Sequence, residues 1–188
     1  MTKLTSPYCF DPVFYLLKFP EHAKEYAVYM ALINIIMGPL SSFIAASISD
    51  RFGRKNNSMV NSYIIMTGNL IAMPMFISAV CTQNFTLSMI FQALRVLFSE
   101  SWSSPSVTLL QNSTDSRKFG RIFSANMFFT SLSEGLSIAL FGFALNFLDL
   151  SQSATGFRNV LIAWALFRYI GSSLAYFKAG RKQVLVTS

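Results

Sequence analysis

Hydrophobic positions along this chain fall into long unbroken blocks instead of alternating or following a narrow amphipathic stripe. Residues 26–49 carry no charge, and at about 1.5 Å per residue that run makes roughly 36 Å of helix, enough to cross the hydrocarbon core of a bilayer with some tilt. A second charge-free run covers residues 56–94, too long for one crossing and divided by the polar Thr82-Gln83-Asn84. It predicts one helix over 59–81 and the start of another at Phe85. The third helix is expected over 85–110, the fourth over 122–148 and the fifth over 159–177. The short link at 82–84 makes the second and third antiparallel neighbours. Pro74 lies inside the second, where neighbouring groups in a membrane bundle satisfy the carbonyl it frees. Residues 12–19 are apolar but too short to cross and hold Lys18. They fit the stump of a preceding helix, an interfacial segment or a loop.

The blocks predict an all-α, polytopic membrane helix bundle with about five transmembrane helices. Its parts are an extramembrane N-terminal segment at 1–24, the bundle at 25–178 and a basic tail at 179–188. Composition points the same way. Of the 188 residues, 53% are hydrophobic and 12% charged, and mean hydropathy is +0.46, against about 25% charged residues in a soluble domain. The 19 phenylalanines lie mostly in the apolar stretches, where they suit lipid tails and interfaces.

A formal net charge of +7 raises the question of nucleic acid. That partner needs basic residues gathered on one exposed face, whereas here they punctuate the apolar runs, so no nucleic acid is expected. Their placement instead sets orientation. Arg51, Arg54 and Lys55 follow the first helix, Arg117, Lys118 and Arg121 the third, and Lys178, Arg181 and Lys182 the fifth. The intervening loops offer only Arg158, and the N-terminal stretch adds Lys3, Lys18 and Lys24. The positive-inside rule then places the N-terminus outside and the C-terminus in the cytoplasm. Asn84-Phe85-Thr86 fits a glycosylation sequon on the outer side but lies too near the membrane for a glycan to be expected.

Chemistry-bearing residues are sparse. Cys9 and Cys81 stand far apart in no metal or redox spacing, and the lone histidine, His22, lies outside the expected spans. No metal, cofactor or enzymatic activity is expected. Four ionisable residues do fall within expected spans: Arg95, Glu100, Glu134 and Arg168. An intramembrane charge costs roughly 2.5–3.5 kcal/mol on insertion scales, so each should face a partner or a water-filled interior. Arg95 and Glu100 stand about 140° apart around a helix, so pairing between helices is expected, for example Arg95 with Glu134. The carboxylates are candidates for carrying a coupling proton. The pairs Gly38 with Ser42 and Ser133 with Ser137 fit close helix packing.

The first cytoplasmic loop carries a more specific signal. Ala46-Ser47-Ile48-Ser49-Asp50-Arg51-Phe52-Gly53-Arg54-Lys55 resembles the signature loop of the major facilitator superfamily, G-x-x-x-D-R-x-G-R-[RK]. It matches at Asp50, Arg51, Gly53, Arg54 and Lys55 and departs at Ala46, where the family has glycine. Arg95, Glu100, Trp102, Pro105, Gln111 and Gly120 are similar to the fourth or tenth helix of Spinster-like and related protist members. The resemblance covers the chain from about Tyr26 onward and implies half of a major facilitator fold, the C-terminal half without its first helix. It further implies secondary active transport of a small organic solute, coupled to a proton or sodium ion. Arg95, Glu100 and Glu134 would lie on the path, Arg168 in a buried structural pair, and the matched loop residues would gate from the cytoplasmic side. Alternating access needs two halves, so a complementary N-terminal half is expected as partner. The alternative is a non-transporting structural or accessory membrane subunit derived from a transporter half.

Overall fold

The computed structural model describes residues 10–53, 59–112, 114–115, 117–147 and 153–187. These form α1 (Asp11–Lys18), α2 (Ala23–Gly53), α3 (Met59–Cys81), α4 (Phe85–Ser99), α5 (Ser103–Asn112), α6 (Phe119–Phe147) and α7 (Ala154–Thr187), with no strand among the described residues. The protein is an all-α helix bundle. Among the described residues four helical stretches are long and apolar enough to cross a membrane: Pro20–Phe52, Met59–Cys81, Phe119–Phe147 and Ala154–Lys178.

The helix expected over 85–110 is divided. Between α4 and α5 lies a 3₁₀ turn, Glu100–Trp102. Pro105 accounts for it: the ring has no N–H to give to the carbonyl four residues back and crowds that carbonyl, so the ladder is interrupted one turn upstream. Serine hydroxyls take up local carbonyls through the bend, Ser101 Oγ donating to Phe98 O at 2.7 Å and Ser106 Oγ to Ser103 O at 2.9 Å.

Packing is centred on α3, which lies between α7 and α4, with α2 covering α4 and α6 at the edge against α5 and α7. The exterior is apolar, and the core, itself largely apolar around Phe14, Phe76, Phe141 and Leu161, also holds polar side chains. Ile35, Phe43, Phe143 and Phe147 are all at least two-thirds exposed, while Asn61, Asn69, Gln92, Arg95 and Arg168 are buried. Such a surface suits lipid tails, and the buried polar groups join helices where no water competes. Ser49 Oγ donates to Asn61 Oδ1 at 2.6 Å between α2 and α3, and Asn69 Nδ2 donates to Ser172 Oγ at 3.0 Å between α3 and α7. Ser42 meets Ser103 at 2.8 Å between α2 and α5.

One crossing is tight enough to need glycine. A Cβ on Gly68 of α3 would sit 2.8 Å from Phe98 O and closer still to Ser101 Oγ, so α3 lies against the backbone of the bend. Gly38, expected at a close contact, has nothing within 4 Å of its Cβ position.

Candidate functional site

Of the segment 12–19, too short to cross a membrane, residues 12–18 lie in α1 and Phe19 caps its end. It starts with Pro12 in the first turn, where a missing N–H costs nothing, and ends with Lys18 in the last. This short helix is wedged against α2, α4 and α7. Phe14 and Tyr15 are 1% exposed, Tyr15 stacking on Tyr26 at 4.5 Å and Phe14 facing Phe157 at 6.1 Å.

Its other contacts form a polar ladder. Asp11, Tyr15 and Lys18 follow the i, i+4, i+7 spacing of one helix face, and so do Ser88, Gln92 and Arg95 on α4. The two faces run antiparallel. At the deep end Arg95 Nη1 donates to Asp11 Oδ2 at 2.9 Å, with both side chains 1% exposed. The guanidinium also lies 5.2 Å from the Phe76 ring centre, on α3, a cation–π arrangement.

The middle rung has a direction. Ser88 Oγ donates to Ala79 O at 2.7 Å, which spends its single proton. Tyr15 therefore donates to Ser88 Oγ across 2.5 Å, and the Tyr15 oxygen accepts from Gln92 Nε2 at 3.2 Å. The chain Gln92 to Tyr15 to Ser88 to Ala79 O has one polarity throughout, so each bond strengthens the next. At the far end Lys18 Nζ donates to Val80 O at 2.6 Å and Thr82 O at 2.5 Å. Those carbonyls lie at the C-terminus of α3, which carries the negative end of its dipole.

The residues expected to carry chemistry are distributed unevenly around this ladder. Arg95 is its deep rung, and the side chain it meets is Asp11, so the interhelical pairing expected of Arg95 is made by α1. Arg168 on α7 is 7% exposed, 5.1 Å from the Tyr169 ring centre and near enough for its charge to act on the Asp11 carboxylate. One carboxylate thus lies within reach of two cations. Glu100 is half-buried in the bend, and Glu134 is half-buried on α6. Asp50 and Arg51 are exposed in the last turn of α2, which ends at Gly53; Arg54 and Lys55 lie outside the described residues.

Asp11 Oδ1 and Gln92 Oε1 are buried and accept no hydrogen bond from the described residues. The ladder therefore keeps acceptor capacity in the interior, beside a cation, where a proton or a small donor could be held. Asp11 is not legible as a site residue in the sequence, since it lies in a segment too short to cross the membrane, among other charges of the N-terminal stretch. Its i, i+4, i+7 register with Tyr15 and Lys18 was the available signal.

Among the described residues no group of three or more His, Cys, Asp and Glu is placed to share a metal ion. A scan against protein-family models and searches of curated proteins and of solved structures found no match to this chain.

Proposed function

We propose that this multi-pass membrane chain is the C-terminal half of a secondary active transporter of the major facilitator type, moving a small organic solute. The observation that carries the reading is the sequence Asp50-Arg51-Phe52-Gly53-Arg54-Lys55 between α2 and α3, two long apolar helices. A cationic loop between such helices holds to the cytoplasmic surface; this puts the N-terminus outside, and with the bent α4–α5 pair taken as a fifth crossing it puts the C-terminus in. The reading is supported by charges at the centre of the bundle. Arg95 and its partner Asp11 supply a charge pair that a solute carboxylate or a proton can compete for, with Glu100 and Glu134 as further groups along the path. Transport then requires a complementary N-terminal half, and a proton or sodium gradient as the driving force.

A non-transporting accessory subunit is the second reading, favoured by the same ladder. Three polar rungs that tie α1 to α4 and to the end of α3 also serve to fix the fold. The two readings separate on reconstitution. The full chain is purified from its own membranes with whatever co-purifies, placed in proteoliposomes, and assayed for uptake of a panel of radiolabelled organic acids, amines and sugars under an imposed proton or sodium gradient. Gradient-driven uptake lost in Arg95→Ala is the expected result. A stoichiometric complex with non-transporter proteins and no uptake of any solute would overturn the proposal.

A further inference from the structure

A groove of about 650 Å³ runs along the outside of the bundle between α2 and α4, and its two ends differ in chemistry. One end is polar and aromatic. Glu25 lies there with its carboxylate 2.8 Å from His22 Nδ1, the His22 ring stacks on Phe85 at 4.5 Å, and Tyr29 stands 6.1 Å from the same Phe85 ring. Asn84 closes that end, and its Oδ1 already accepts the Leu87 N–H as the α4 cap, so what it offers the groove is its amide N–H₂. The remaining length is walled by aliphatic side chains from both helices, with Leu32, Ile36 and Ile90 about half exposed.

Depth fixes the scale. From Glu25 to Met37 the groove follows α2 for about 18 Å at about 1.5 Å per residue. A hydrocarbon core of about 30 Å gives each leaflet roughly 15 Å. The groove therefore spans one leaflet: its polar mouth lies level with the α3–α4 turn and its apolar end lies near the bilayer midplane.

We propose that this groove is a site for a single zwitterionic phospholipid of that leaflet, with one acyl chain lying between α2 and α4. The mouth matches such a headgroup at both poles. The exposed Glu25 carboxylate, with the half-exposed Tyr29 ring one turn along the same face of α2, receives the trimethylammonium group by charge and cation–π attraction, while the buried Phe85 ring, covered by His22, closes the floor of the mouth. The Asn84 amide is placed to donate to the phosphate. An anionic headgroup lacking the ammonium meets Glu25 as a like charge and is disfavoured. The inference needs the α2–α4 face to meet the bilayer, so under either reading of the function the partner half or subunit covers a different face of the bundle.

The test uses the full chain in nanodiscs containing equal parts phosphatidylcholine and phosphatidylglycerol, each in turn carrying a photoactivatable acyl chain. The expected result is phosphatidylcholine crosslinked to peptides from residues 29–37 and 86–93, in excess over phosphatidylglycerol by at least about fivefold. Glu25→Gln should abolish the headgroup preference and leave the site of crosslinking unchanged. Ile90→Trp, which fills the groove from an exposed position, should remove the crosslink at both segments, and a thermal melt of each variant confirms that the bundle is intact. Equal labelling by both lipids, or labelling spread evenly over α6 and α7, would mean annular lipid only and overturn the proposal. So would efficient disulfide formation by Ile36→Cys with a second copy or a co-purified helix, which would make the groove a protein interface.

Discussion

Replacing Asp11 with alanine is the sharpest test of how α1 is held. The substitution leaves the Arg95 guanidinium buried with its carboxylate removed. Breaking a buried ion pair from one side costs about 3–5 kcal/mol, because the surviving charge has lost its compensation. Both side chains are 1% exposed, so little solvent screening discounts that figure. The Phe76 ring faces the guanidinium in parent and variant alike and does not offset the loss. The expectation is a loss of about 3–5 kcal/mol. For a chain of this size about 1 kcal/mol shifts the midpoint by roughly 2–4 °C, so the midpoint should fall by about 6–20 °C in a detergent-solubilised thermal melt. The double variant Asp11→Leu with Arg95→Met removes both charges and should recover most of the loss, since apolar groups of similar volume replace buried ion pairs at little cost. A midpoint within 2 °C of the parent for Asp11→Ala, or a double variant no better than the single, would refute the argument.

Tyr15→Phe breaks the directional chain, removing the Tyr15 oxygen that accepts from Gln92 and the hydroxyl that donates to Ser88, and should cost about 1–3 kcal/mol in the same melt. Gly68→Ala should be destabilising by about 1–3 kcal/mol through overpacking against the Phe98 carbonyl, whereas Gly135→Ala, with open space at its Cβ, should be neutral or stabilising by up to about 1 kcal/mol. Lys18→Met removes the donor to the last carbonyls of α3 and should raise hydrogen exchange at residues 80–84 several-fold while leaving α7 unchanged. The proposed orientation makes the exposed Cys81 reactive to an impermeant maleimide from outside intact cells in a Cys9→Ser background, and a cysteine at Arg117 reactive only after permeabilisation.

Charge-free runs mark where a helix can cross, and α3 coincides with its expected range because polar residues bound it on both sides. A bend inside an apolar stretch leaves no mark in such a run: 85–110 reads as one helix, and only Pro105 and the serines around it point to the break between α4 and α5. Charge-free runs also clip helices whose ends carry charge: α7 continues past the expected 177 through Lys178 and Arg181 to Thr187. At the candidate site Arg95 was legible as an expensive charge in need of a partner. The identity of that partner was not, since Asp11 lies 84 residues away in a segment too short to read as a span. Gly68 illustrates a further limit. Nothing in its neighbours distinguishes it from Gly38, and only the approach of the bend from another helix makes the missing side chain matter.

The ladder also has a consequence for the order in which the molecule is made. α1 leaves the ribosome before every surface it rests on. Arg95, Gln92 and Ser88 are synthesised some eighty residues later, and Phe157 later still. Until then Asp11 and Lys18 lack the partners that hold them in the bundle. Docking of α1 therefore follows insertion of α3, α4 and α7, and an unseated α1 marks a bundle whose later helices are not yet in place.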